Sequence, residues 1–142
     1  MNTPFKKSLQ GLICSYPLAK KLKELGVMQR SYFYWTPGEN NETLPIEGGL
    51  LDMIQTAFPN EFDPTSAFST DDLVRMLGSV ACSIQLKEET YSHIIHFRDP
   101  YDQQLVSVEH ESLPDALATL LIQLLEQRKK PVSEANQWLM VL

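Results

Sequence analysis

Val80-Ala81-Cys82-Ser83-Ile84-Gln85-Leu86, Tyr91-Ser92-His93-Ile94-Ile95-His96-Phe97 and Gln104-Leu105-Val106-Ser107-Val108 are three runs that carry the two-residue period of strands. Polar turns separate them. The first is Lys87-Glu88-Glu89-Thr90; the second is Asp99-Pro100-Tyr101-Asp102, where proline presets φ. Strands joined by tight turns pair antiparallel. Residues 80–108 are therefore expected to form a three-stranded antiparallel meander.

Helical grammar flanks the meander on both sides. Ser69-Thr70-Asp71-Asp72 is a capping-box pattern, in which the serine oxygen takes an early N–H and Asp72 reaches back. Leu73, Met76 and Leu77 follow on one face, and Gly78 ends the helix. Ser112-Leu113-Pro114-Asp115 repeats the capping logic. Leu113, Ala116, Leu117, Leu120, Leu121, Leu124 and Leu125 then recur at three and four residues, so a helix over 113–127 is expected to pack across the meander. Arg128, Lys129 and Lys130 suit the negative end of its dipole, and Pro131 stops it.

The N-terminal half is less regular. Leu9, Leu12, Ile13 and Tyr16 have helix-like spacing, interrupted by Gly11. A firmer helix starts after Ser15, with Pro17 in its first turn and Leu18, Leu22 and Leu25 on one face. Gly26 suits its C-terminal cap. Ser31-Tyr32-Phe33-Tyr34-Trp35-Thr36 reads as an aromatic strand, stopped by Pro37-Gly38. Leu44-Pro45-Ile46 reads as a short returning edge strand, and Leu50, Leu51, Ile54 and Phe58 as a short helix over 50–58. Residues 59–67, with two prolines and the acids Glu61 and Asp63, read as a surface loop. The apolar tail Ala135–Leu142 is expected to dock. The expected fold class is α+β: a three-stranded antiparallel meander with helices on one face, plus an N-terminal helix and an aromatic strand. It forms a single domain over 1–142, with a helix-strand-strand-strand-helix core at 69–127 and a loop-rich insertion at 37–67.

The chain of 142 residues is long enough for its own core, and 43% of it is apolar. Its two cysteines, Cys14 and Cys82, lie in apolar surroundings and read as buried thiols of a reducing compartment. Lys6-Lys7 is followed by a stretch too short and polar for a signal sequence, and Leu12-Ile13-Cys14-Ser15 lacks the hydrophobic run that a lipid-attachment site needs. The strongest apolar run, Ala116–Leu125, is half a membrane span. A cytoplasmic location without membrane association is expected. The net charge of −6 is uneven: six basic groups and one acid in 1–30, sixteen acids and three bases in 31–127. Such an acidic body repels nucleic acid. The basic first helix leaves nucleic-acid binding only as a minor alternative.

Candidate chemistry is sparse. His93 and His96 are three apart on a strand and so face opposite ways, which rules out a shared metal ion there. His110, between Glu109 and Glu111, ends the third strand. No nucleophile elbow or phosphate loop occurs. Asp71-Asp72 are explained by capping, Asp99 and Asp102 by a turn, and Glu88-Glu89 by a solvated turn. No cofactor or metal is expected. The aromatic quartet is the remaining candidate. Alternation puts Phe33 and Trp35 inward, leaving Tyr32 and Tyr34 partly accessible, since their hydroxyls tolerate water. Exposed Tyr is enriched in protein interfaces. Tyr32 and Tyr34 are therefore the candidate surface for a protein partner or a second copy of the chain. The expected function is a non-enzymatic protein-binding or regulatory module. The alternative is a small enzyme whose acidic cleft the sequence does not display.

Two resemblances bear on this reading. The helix–three-strand–helix order is similar to that of double-stranded-RNA-binding domains. Those domains use a basic second-helix start, whereas this one begins Ser112-Leu113-Pro114-Asp115, and residues 69–127 carry ten acids and three bases. RNA binding by that surface is rejected. Separately, Leu18-Ala19-Lys20-Lys21-Leu22-Lys23-Glu24-Leu25-Gly26-Val27 before the aromatic strand, Ser69-Thr70-Asp71-Asp72-Leu73 through Leu77-Gly78, and Ser112–Leu117 through Leu125 resemble small uncharacterised bacterial proteins associated with prophages and mobile elements. That resemblance covers less than half of the chain. It implies such an origin and an α+β fold, and no site residues.

Overall fold

The computed structural model describes residues 12–37, 43–57, 64–78, 82–98 and 103–140. The elements in chain order are α1 (Tyr16–Glu24), β1 (Phe33–Pro37), β2 (Thr43–Glu47), α2 (Gly48–Ala57), β3 (Thr65–Ala67), α3 (Thr70–Leu77), β4 (Cys82–Lys87), β5 (Ser92–Arg98), β6 (Leu105–His110), α4 (Leu113–Glu126) and α5 (Val132–Met140). The fold is α+β, with two three-stranded antiparallel sheets ordered β4-β5-β6 and β2-β1-β3.

The meander forms where alternation places it. Ile84 lies opposite Ile95, which lies opposite Val108, so these side chains share one face. Ile95, Phe97 and Val108 are buried there. The helix α4 packs on that face, over β5 and β6. Its other side meets α1 and α3, so Ala118 and Ile122 are buried along with the leucine stripe. A helix apolar nearly all round is one that sits inside. The expected stripe described only half of its contacts.

Caps set the helix ends. Ser69 Oγ accepts from Asp72 N–H and Asp72 Oδ2 accepts from Ser69 N–H, each at 3.2 Å, completing the box expected from sequence. Ser112 Oγ accepts from Asp115 N–H at 3.5 Å. The Asp115 carboxylate goes elsewhere, accepting the Ser15 N–H at 2.6 Å, so it ties the start of α1 to the start of α4. The tail docks as expected as far as Met140: α5 packs on α3, burying Ala135 and Leu139, while 141–142 lie outside the described residues. The indole of Trp138 lies over Gly78, whose φ of 61° and lack of a Cβ both matter, since a Cβ would stand 2.9 Å from Trp138 Nε1.

Three expectations need correction. Residues 65–67 are no surface loop: Thr65, Ser66 and Ala67 form β3, paired to β1 and wholly buried. Three residues are too few to show a period, and the neighbouring prolines and acids dominate the local composition. Of the 37–67 insertion, Thr43–Glu47 and Gly48–Ala57 are also regular; 38–42 and 58–63 lie outside the described residues. The helix expected over 50–58 begins two residues earlier, at Gly48, with the Gly48 N–H donating to the Tyr32 carbonyl at 2.7 Å. Lastly, Ile13 does not continue a helix. It bridges Ser69, and the Cys14 N–H donates to the Phe68 carbonyl at 2.8 Å. The remaining residues of that helix-like spacing before Leu12, and the turn 99–102, lie outside the described residues.

Phe33 and Trp35 face inward as expected, Phe33 half-buried against the core and Trp35 buried. The Trp35 Nε1–H donates to the Cys14 carbonyl at 3.1 Å, satisfying the indole inside the core. Cys14 is a free, fully buried thiol; the side chain of Cys82 is not among those described. Burial pushes the Cys14 thiol up to about 12 from its ordinary 9.0, outweighing the Phe68 backbone hydrogen bond that opposes it. Below 9.0 both folded and unfolded chains keep the proton, so nothing is lost. Above it only the unfolded chain releases the proton. Stability should therefore fall by about 1.4 kcal/mol per pH unit between 9.0 and about 12 from this group. Urea melts of the wild type and Cys14→Ala across that window check it: the variant should show the shallower decline, and equal slopes would contradict the assignment.

Candidate functional site

The chain between α1 and β1 is held by side chains from distant segments. Asn136 of α5 accepts the Met28 N–H at 2.6 Å through Oδ1 and donates through Nδ2 to the Gly26 carbonyl at 3.1 Å. Gln29 bridges Ser66 N–H (2.7 Å) and the Val27 carbonyl (2.9 Å). Ser31 donates its hydroxyl to the Phe33 carbonyl at 2.6 Å. These bonds fix Arg30-Ser31-Tyr32 as a rigid lead into β1.

That lead faces α3 and α5 across a cleft of about 280 Å³ lined by Arg30, Ser31, Tyr32, Asp72, Arg75 and Leu139. Asp72 and Arg75 are three apart on α3 and so project together. The volume falls just short of the usual small-molecule range of about 300–1,000 Å³, and suits one or two inserted side chains. Its charges are unequally committed. Asp72 is engaged by the N–H of Ser69 in the capping box, and Arg75 pairs with Asp71 at 2.9 Å. Arg30 donates its backbone N–H to the Met28 carbonyl at 3.0 Å, but its guanidinium has no hydrogen bond or ion pair among the described residues and is the cleft's uncommitted charge.

The two tyrosines singled out in the sequence have different places. Tyr32 is 64% exposed, and its ring stands edge-on to Phe33 with centroids 4.8 Å apart. Phe33 itself packs against the core, so it braces an exposed aromatic. Tyr34 is half-buried and does not line the cleft. Its hydroxyl accepts the Ser31 N–H at 3.2 Å, and its ring edge lies 3.3 Å from where a Cβ on Gly48 would be. Tyr34 thus holds the lead and α2 together. Both tyrosines are at least partly accessible, as expected, and Tyr32 is the one that lines the cleft.

The histidines lie on the other sheet. His93 and His96 face opposite ways, as expected. The register does set His93 directly across from His110, a pairing that spacing along the chain could not reveal. His93 Nδ1 lies 3.1 Å from the Glu111 carbonyl. On the opposite face His96 links all three strands, with Nδ1 3.0 Å from Ser107 Oγ and Nε2 3.2 Å from Gln85 Oε1. This serine–histidine contact sits on open sheet surface, where it clasps β4, β5 and β6. Beside it, Ser92 Oγ donates to Glu109 at 2.6 Å, and this bond, then Lys87, holds the Glu109 carboxyl below its ordinary range. Among the described residues, no group of three or more His, Cys, Asp or Glu side chains is placed to hold a metal ion. No described helix is long and apolar enough to cross a membrane.

Arg30, Arg75 and Leu139 were not singled out by sequence. They are drawn from three segments, and no local pattern joins them. No protein-family model, curated protein or solved structure matches the chain.

Proposed function

We propose that this chain is a non-enzymatic protein-binding module of the prophage-associated type, acting in the cytoplasm, and that the Arg30–Tyr32 cleft is its contact site. The observation that carries the reading is the exposed Tyr32 ring, braced by Phe33 at the mouth of a cleft with an uncommitted guanidinium. Braced aromatics and arginines make interface hot spots, because little rotamer freedom is left to lose on binding. Arg30 asks for a carboxylate, and Leu139 offers an apolar floor. The partner is therefore a protein segment with an acidic residue beside a large apolar one. The acidic body of the chain, which disfavours nucleic acid, supports the same choice.

The test uses the full chain as bait for a displayed library of random peptides, followed by calorimetry of the selected sequences. Acidic–apolar peptides should be enriched. Tyr32→Ala should weaken them by at least about thirtyfold, the size of a 2 kcal/mol hot spot, with an unchanged melting temperature. Peptides that bind the Tyr32→Ala and Arg30→Ala variants as tightly as the wild type would overturn the site.

A further inference from the structure

The two sheets have four edges, and described residues guard three of them. At β3 the Ser66 N–H ends on Gln29, and all three residues are buried. The β2 strand carries Pro45, which has no N–H to offer a new strand. The β6 strand ends Glu109-His110 and is followed by Glu111, which adds an exposed charge beyond the Glu109–Lys87 pair. The β4 strand has none of these devices. Residues 83–86 are all exposed, and its one charge, Lys87, already faces Glu109 at 3.7 Å. No described element pairs with its outer side.

The side chains of β4 add a second observation. Ile84 and Leu86 lie opposite Ile95 and His93, on the sheet face that α4 covers. But α4 sits over β5 and β6, leaving Ile84 49% and Leu86 55% exposed. An unguarded edge and an uncovered apolar pair coincide.

We propose that β4 is a self-association edge, on which a second copy of this chain lays its own β4 antiparallel across a twofold axis. The six residues Cys82–Lys87 are complementary to themselves. Pairing about Gln85 sets Ile84 against Leu86 of the second copy, and Leu86 against its Ile84, on the α4 face. On the other face Gln85 meets Gln85, and Lys87 meets Ser83. No like charges oppose one another, and the result is one continuous six-stranded sheet. Any foreign strand would have to bring two apolar residues at the same alternate spacing and no charge between them, which is what β4 itself supplies. A contact of this kind is isologous and closes, so it stops at two copies. The strand belongs to the sheet that does not contain Tyr32, so the inference stands apart from the cleft.

Sedimentation equilibrium of the full chain over a wide concentration range tests it. The average mass should rise from one to two chain masses, and Ile84→Lys with Leu86→Lys should hold it at one while the circular dichroism stays unchanged. A wild type that stays at one chain mass throughout, or a double variant that is folded and still doubles, overturns the proposal; so does a wild type that takes up only a foreign strand. Should the double variant not fold, hydrogen exchange of the wild type decides. Slowing of β4 amides as concentration rises supports the edge, and slowing elsewhere or none overturns it.

Discussion

Phe68→Ala is expected to lower the unfolding free energy by about 3–5 kcal/mol, the range for emptying an aromatic site in a core. Phe68 is the largest of the fully buried side chains among the described residues. Its main chain is pinned on both sides: the carbonyl takes the Cys14 N–H at 2.8 Å, and the next residue, Ser69, caps α3 and bridges Ile13. Walls held in this way cannot move in to fill the space, so the cost belongs at the high end. A small domain has about 5–15 kcal/mol in total, so the variant should be partly unfolded at moderate urea. Urea melts followed by tryptophan fluorescence read the change. A loss below about 1 kcal/mol, far under the range for such cavities, would mean that Phe68 does not sit in the core.

Leu121→Ala should cost about 2–5 kcal/mol, for a related reason. Leu121 is fully buried on α4, the helix that separates the meander from α1 and α3. A cavity there loosens both layers at once. The neighbouring Leu120, 1% exposed, should behave alike. Urea melts in which both alanine variants lose less than about 0.5 kcal/mol, the level of surface substitutions, would place the stripe in solvent.

The meander and its flanking helices were legible because each has a period and a stop. Alternation gave the strands, Ser69 and Ser112 gave the caps, and Gly78 and Pro131 gave the ends. What was not legible is what depends on meeting at a distance. β3 is three residues long and acquires its strand geometry from β1, which lies about thirty residues earlier in the chain. The aromatic run disclosed that Trp35 and Phe33 point inward, but not that Tyr34 would be spent on Ser31 and Gly48. The cleft is the extreme case. Arg30, Arg75 and Leu139 are ordinary residues in their own neighbourhoods, and only the docking of α5 on α3 brings them together.

The cleft is most directly tested by hydrogen–deuterium exchange of the full chain, with and without a peptide selected on it from the random library. The account predicts that saturating peptide slows exchange at Arg30–Tyr32, along α3 around Asp72–Arg75 and at the end of α5 near Leu139, and leaves the β4-β5-β6 sheet unchanged. Slowing confined to that sheet, with residues 30–32 exchanging as in the free chain, would contradict it.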